Sequence, residues 1–282
     1  MKIHAPAKVN LVLDVVSKRP DGYHNVKMIM QTLELGDTVT IEASPAEDNC
    51  INITSNSGYV PCDESNIAYK AALAILDSAG KKCRVDIHID KNIPVAAGLA
   101  GGSTDGAAVL TGLNDILNLG YDKDKLMELG AKFGADVPFC IMQGTALAEG
   151  TGTELKQIHP YGEHTVLLVK PDIGVSTPWV YKNLKLDSVE HPDVDKYIEC
   201  ISKGEYEKSF EYMGNVLETV TVAEYPIIDK IKNQMTEQGA SVSMMSGSGP
   251  TVFGIFDSES DAKKAAEFFK KEFKEVIVTK TV

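Results

Sequence analysis

Hydrophobic and polar positions alternate at residues 9–15: Val9, Leu11, Leu13 and Val15 share one face, and Lys8, Asn10, Val12 and Asp14 share the other. The spacing predicts a strand on which Lys8 and Asn10 point the same way. Asp21-Gly22-Tyr23-His24 is turn chemistry, and residues 38–42 and 51–54 read as short strands in an antiparallel arrangement. The period then changes. Asp63-Glu64-Ser65-Asn66 supplies capping residues before Ile67, Ala71, Ala74 and Ile75, and Gly80 punctuates the end of that helix. Val85, Ile87 and Ile89 alternate in a strand that feeds a glycine-rich stretch. Beyond Ser103, the positions of Ala107, Ala108, Leu110, Leu113 and Leu117 predict a second helix. Another helix is expected near 122–133, ended by Gly134, and residues 138–147 read as a strand or hairpin.

The second half predicts a strand at 165–169 and helices near 193–201, 206–220 and 226–238. Strands around 241–245 and 251–256, a helix at 261–273 and a strand at 275–279 follow. This order suits an α+β sandwich rather than a regular βαβ series. Glu149-Gly150-Thr151-Gly152-Thr153 lies between the two series and reads as a hinge, dividing the chain into residues 1–153 and 154–282.

Composition narrows the function classes. At 282 residues and 43% hydrophobic the chain can bury substantial cores, and its formal net charge of -12 opposes nonspecific attraction to nucleic acid or anionic membranes. A small-molecule partner is the expectation. No apolar run is long enough for a membrane span and no signal-peptide pattern opens the chain, so the expected location is cytoplasmic. The five cysteines (Cys50, Cys62, Cys83, Cys140, Cys200) and six histidines show no metal-binding spacing. No tightly bound metal is expected.

The candidate chemistry begins with Pro94-Val-Ala-Ala-Gly98-Leu99-Ala100-Gly101-Gly102-Ser103-Thr104-Asp105-Gly106. Residues without Cβ atoms let a ligand approach the backbone, and the following helix starts with unpaired N–H groups, where anions settle. The loop fits neither a Walker A pattern nor a dinucleotide fingerprint, so it reads as a different phosphate loop. Phosphoryl transfer further needs cations and often a base beside the acceptor hydroxyl. Lys8, beside Asn10, supplies the cation. Asp136, in Gly134-Ala-Asp-Val-Pro138, fits either a turn cap or a presented carboxylate at the beginning of a strand. Met245-Ser-Gly-Ser-Gly-Pro-Thr251 joins two apolar strands as a turn.

Taken together, Pro6-Ala-Lys-Val-Asn-Leu11, residues 94–108 and Ser246-Gly-Ser-Gly-Pro-Thr251 resemble, in order, the three motifs of the GHMP small-molecule kinases. The resemblance implies a two-domain α+β fold with mixed sheets packed with helices and the active site in the cleft between domains. With Asp21-Gly-Tyr-His24, Gly134-Ala-Asp-Val-Pro138 and Ser176-Thr-Pro178 beside those motifs, it implies transfer of the γ-phosphate of ATP to the 2-hydroxyl of 4-diphosphocytidyl-2-C-methyl-D-erythritol, by a monomer or homodimer. By the matching motifs, Asp136 would be the general base and also meet the acceptor, Lys8 would orient it and offset charge, and Asn10 would order the cluster. Pro94, Gly98, Leu99, Ala100, Gly101, Gly102, Ser103 and Thr104 would hold the triphosphate, with Asn66 and Lys91 on the adenine side. Tyr23, His24, Thr177, Pro178 and Tyr181 would surround the cytidine. Mg²⁺ would ride mainly on the nucleotide, with Ser103 the nearest protein candidate.

Two alternatives stay open: the same fold acting on homoserine, mevalonate or a sugar, and a noncatalytic nucleotide-binding protein. Within the loop, Gly106 inside a helix costs up to ~1 kcal/mol relative to alanine. Asp105 near a triphosphate must point away, contact a cation or cap its helix.

Overall fold

The computed structural model describes residues 1–282. In chain order the elements are β1 (Lys2–Lys18), β2 (His24–Pro45), β3 (Cys50–Ser55), α1 (Ile67–Ala79), β4 (Cys83–Asp90), α2 (Gly101–Ile116), α3 (Lys123–Gly130), α4 (Val137–Met142), β5 (Thr145–Glu149), β6 (Glu154–Gln157), β7 (Thr165–Lys170) and α5 (Thr177–Asn183). Then come α6 (Val194–Ser202), α7 (Tyr206–Ser209), β8 (Gly214–Asn215), α8 (Glu218–Glu224), α9 (Ile227–Glu237), β9 (Val242–Met245), β10 (Val252–Phe256), α10 (Glu259–Phe269) and β11 (Glu275–Lys280). Two short 3₁₀ turns accompany them.

The chain divides into two compact units that interleave along the sequence. The first comprises Met1–Ala7, Leu35–Val95 and Ala100–Gln143. Here β4 pairs antiparallel with residues 38–45 of β2, and parallel with β3 on its other side. The strands expected at 38–42 and 51–54 are therefore separated by β4 rather than paired. The inward side chains Val39, Ile41, Ile53, Val85, Ile87 and Ile89 meet α1–α4 in one hydrophobic core. Helix α2 is buried almost all round from Thr104 to Leu113, which accounts for its many small residues. Where α2 crosses α1, a Cβ on Gly106 would lie 2.6 Å from Ile67 Cγ2, so the helix-weakening glycine is what lets the two helices approach.

The second unit comprises Lys8–Glu34, Ala96–Leu99 and Gly144–Val282. Within it β8 pairs parallel with β1, aligning Gly214 with Val12 and Asn215 with Leu13. β5 pairs antiparallel with β2 and forms a hairpin with β6. The expected hinge at 149–153 is the turn of that hairpin, with Gly150 and Gly152 at positive φ. A separate antiparallel sheet runs β11-β7-β10-β9, covered by α9 and α10 through Ile231, Met235, Ala265 and Phe269.

Several elements differ from the sequence expectation for identifiable reasons. β1 is buried on both faces, so its polar positions, including Lys8 and Asn10, are not solvated. The middle of β2 shows no alternation for the same reason, with Met28, Ile29, Met30, Gln31, Thr32 and Leu33 all buried, whereas residues 37–41 alternate. Residues 137–142 form a helix rather than a strand, because a short apolar run carries no period of its own and Pro138 is tolerated in a first helical turn. The helix expected at 206–220 breaks into α7, a 3₁₀ turn, the short β8 and α8, with Gly214 and Asn215 drawn out to pair with β1. β6 and α5 carried no recognisable pattern.

Candidate functional site

In the first unit, Ala100 is the N-cap of α2 in a left-handed conformation (φ 58°), and no side chain caps the helix. The first helical bond runs from Thr104 N to Ala100 O at 2.9 Å, so the N–H groups of Gly101, Gly102 and Ser103 precede the ladder. Gly102 is exposed, Ser103 is half-buried, Pro94 is buried, and the buried Thr104 hydroxyl has no hydrogen-bond partner. An uncapped helix start with an orphaned hydroxyl and glycines in place of side chains fits a polyphosphate. No group of three or more His, Cys, Asp or Glu is arranged to hold a metal ion. The Ser103 hydroxyl at the helix start is the oxygen donor suited to a magnesium ion that otherwise keeps nucleotide and water ligands.

Asp105, in the first turns of α2, meets a buried ammonium. Its Oδ2 accepts from Lys91 Nζ at 3.0 Å, and the same ammonium binds Asp37 Oδ2. Asp37 Oδ1 in turn accepts from the backbone N–H groups of Asn92 (2.6 Å) and Ile93 (2.8 Å). Burial pushes the Asp105 carboxyl up to about 7, with Asp37 adding to the rise and Lys91 opposing it. Of the three arrangements open to Asp105, the structure has it contacting a cation. Lys91 lies beneath the start of α2, 3.0 Å from where a Gly101 Cβ would sit. It is an interior ammonium rather than a surface charge.

Asn66 caps α1: its Oδ1 accepts from Ala68 N at 2.8 Å and its Nδ2 donates to Pro61 O at 2.6 Å. Asp136 is the N-cap residue of α4, yet its side chain makes no capping bond and is half-buried. The Ser103 hydroxyl lies 3.7 Å from the Cβ position of Gly134, so the turn bearing Asp136 stands beside the phosphate loop.

In the second unit, Lys8 Nζ donates to Asn10 Oδ1 at 2.8 Å, and Asn10 Nδ2 contacts Met28 Sδ at 3.2 Å. Lys8 N donates to Leu99 O at 3.2 Å, joining this strand to the first half of the glycine loop. Gly98 sits at φ 75°, and a Cβ there would collide with Ser246 O, while Ser246 Oγ donates to Gly98 O at 3.0 Å. The third motif thus backs the second. The His24 and Tyr181 rings are 5.4 Å apart and tilted by 38°. Burial, then Lys18, lowers the His24 pKa, favouring a neutral imidazole that can both donate and accept. Tyr23, Thr177 and Pro178 are exposed, and the Thr177 and Ser248 hydroxyls are 2.7 Å apart.

The candidates divide between the two units. Asn66, Lys91, residues 101–104 and Asp136 belong to the first, and Lys8, Asn10, Gly98, Leu99, Tyr23, His24 and residues 177–181 belong to the second. Asp37, Asn215, Glu218 and Thr221 escaped sequence reasoning; Asp37 in Gly36-Asp37-Thr38 reads as ordinary turn chemistry, Asn215 and Glu218 fell inside an expected helix, and Thr221 just beyond it.

The family model described as GHMP kinases N terminal domain matches residues 66–144, and that described as GHMP kinases C terminal matches residues 197–275. The 4-diphosphocytidyl-2-C-methyl-D-erythritol kinase of Geobacillus sp. (strain WCH70) is 52% identical over 258 residues, covering 92% of this chain and 89% of that protein. That of Caldicellulosiruptor bescii is 47% identical, covering 100% and 98%. Among solved structures, a 4-(cytidine 5'-diphospho)-2C-methyl-D-erythritol kinase superposes with a TM-score of 0.83 at 30% identity, covering 100% of this chain and 99% of that one. A homoserine kinase from Cytophaga hutchinsonii, 19% identical, covers 99% of this chain and 94% of its own with a TM-score of 0.76, a likeness of fold alone.

Proposed function

The chain belongs to the GHMP kinases, and we propose that it uses ATP to phosphorylate the 2-hydroxyl of 4-diphosphocytidyl-2-C-methyl-D-erythritol, a step in non-mevalonate isoprenoid precursor biosynthesis. The observation that carries this reading from the geometry is the continuity of the buried Lys8–Asn10 strand with the glycine loop through the Lys8 N to Leu99 O bond. It supports reading Lys8 as a cation on the strand that adjoins the loop proposed to receive the triphosphate. The acceptor is supported by near-full-length identity to kinases named for it.

Residues 98–104 hold the triphosphate by backbone N–H groups at the start of α2, with the Thr104 hydroxyl as a further donor and Pro94 shaping the entry. Asn66 and Lys91 stand on the adenine side, Lys91 while bound to its two carboxylates. Mg²⁺, carried mainly by the nucleotide with Ser103 as its protein contact, supplies neutralisation of phosphate charge. Asp136 accepts the proton of the acceptor hydroxyl as its oxygen attacks the γ-phosphorus; the bond to the β-phosphate oxygen breaks, leaving ADP and the 2-phosphate. Lys8 stabilises developing negative charge, and Asn10 holds the lysine's ammonium. The His24–Tyr181 pair with Tyr23, Thr177 and Pro178 takes the cytosine, aromatic faces against the base and imidazole at its polar edge.

Residues 1–153 and 154–282 are read as the family's two domains, the matched models falling on either side of that boundary. No helix is long and apolar enough to cross a membrane, and the proposed setting is a cytoplasmic monomer or homodimer. The test is ADP release by purified protein with Mg²⁺-ATP and 4-diphosphocytidyl-2-C-methyl-D-erythritol, run beside homoserine, mevalonate and a sugar. Turnover with the cytidine-tagged alcohol about 10⁴-fold or more above the others is the expected outcome, a margin typical of sites that hydrogen-bond a specific group. Turnover only with another alcohol overturns the substrate assignment.

A further inference from the structure

Asn215 occupies a position between two functional segments of the second unit. Its backbone belongs to β8, paired through residues 214–215 with Val12 and Leu13 of β1, the strand that carries Lys8 and Asn10. Its side chain is buried at 7% exposure and all its main hydrogen-bonding directions are used. Nδ2 donates to Met245 O at 2.8 Å and to Gly247 O at 2.7 Å, while Oδ1 accepts from Leu217 N at 3.0 Å. Only a planar amide can donate twice and accept once in this geometry. Two neighbours reinforce the hold: Glu218 Oε1 accepts from Met245 N at 2.6 Å, and Thr221 Oγ1 reaches Ser248 O at 3.3 Å.

The loop so held is the one that backs Gly98. Ser246 Oγ donates to Gly98 O, and the Gly247 Cβ position lies 3.4 Å from that same carbonyl. A continuous set of bonds therefore runs from β1 through Asn215 and residues 245–247 to the phosphate loop. We propose that Asn215 is a positioning residue that sets the glycine loop relative to the Lys8–Asn10 strand, touching neither nucleotide nor acceptor. It rests on the kinase reading above. The amide bonds two carbonyls of the loop that backs Gly98, and displacement of reacting groups by about 1 Å costs on the order of 100-fold in rate.

The test compares Asn215→Ala and Asn215→Ser with Phe269→Leu, a core substitution in α10 remote in sequence and role from these loops. The expected result is a fall in kcat of about 10- to 100-fold for Asn215→Ala, with KM for ATP and acceptor changed less than about 5-fold. Asn215→Ser, which keeps one donor, falls between Ala and native, and it carries the comparison should the alanine variant not fold. Phe269→Leu lowers the melting temperature with kcat retained. Amide hydrogen exchange gives a readout independent of the acceptor: residues 96–99 and 246–249 exchange faster in the Asn215 variants and at the native rate in Phe269→Leu. Native kcat in a folded Asn215 variant, unchanged exchange at 96–99, or equal kcat losses in Phe269→Leu at matched melting temperature overturns the proposal. Absence of turnover by the native protein overturns the substrate reading instead, and exchange then decides the positioning role alone.

Discussion

At the scale of single residues, burial decides what the charged groups do. Lys8 and Lys91 have the composition of surface lysines, yet both are interior, Lys8 on Asn10 and Lys91 between Asp37 and Asp105. Two carboxylates against one ammonium cannot both be charged cheaply away from water, and Asp105, whose Oδ1 has no partner, is the one pushed to about 7. Because this value is raised above the ordinary 3.8, the folded chain retains a proton that the unfolded chain releases. The corresponding stability is fully present below about pH 4 and is lost as pH rises through about 7. Native protein is expected to lose stability between about pH 4 and about pH 7 by on the order of a few kcal/mol from this group, and Asp105→Asn to flatten that slope. Melting curves of both proteins across that range check it; parallel curves would remove Asp105 as the source.

Elements show how close approach is arranged. The weak point suspected in α2, Gly106, is the contact on which α1 and α2 meet, and a Cβ would press on Ile67, the first residue of the helix that Asn66 caps. Gly106→Ala gains up to ~1 kcal/mol of helix propensity but overpacks a full core, at a cost of about 1–3 kcal/mol. Net destabilisation is expected, with KM for ATP raised several-fold through Asn66 while kcat holds. A variant more stable than native, measured by denaturant midpoint, would show that the helices part without cost. Helix α4 illustrates the converse case, a six-residue apolar run whose helical state was set by its packing against α2 and α3.

For the whole molecule, binding and chemistry are separable. Ligands that bind only the folded state raise its melting temperature, by about 2.7 kcal/mol of stability at 100 times Kd. Mg²⁺-ATP is expected to stabilise Asp136→Asn as much as native protein, since the loop and the carboxylate lie on different elements, while turnover falls about 10²- to 10⁴-fold. Loss of the thermal shift in the variant would instead make Asp136 a binding residue. Unequal charge effects are small against this, as the protein's net charge of -12 changes by one unit.

What the sequence determined by itself was whatever local chemistry dictates: the Asn66 and Gly80 helix ends, the glycine loop running into α2, the β9–β10 turn, and the three ordered motifs that mark a small-molecule kinase. Each rests on caps, turn residues or periodicity within a few positions. Only the tertiary structure decided the rest. It buried both faces of β1 and of residues 28–33 in β2, and inserted β4 between β2 and β3. It drew Asn215 out of an apparent helix to bond β1 and the Ser246 loop, and closed Asp37 and Asp105 on Lys91 from positions 54 and 14 residues away. Such partners are chosen by chain paths and by the cost of leaving a buried polar group unpaired, and neither is written in the spacing of neighbouring residues.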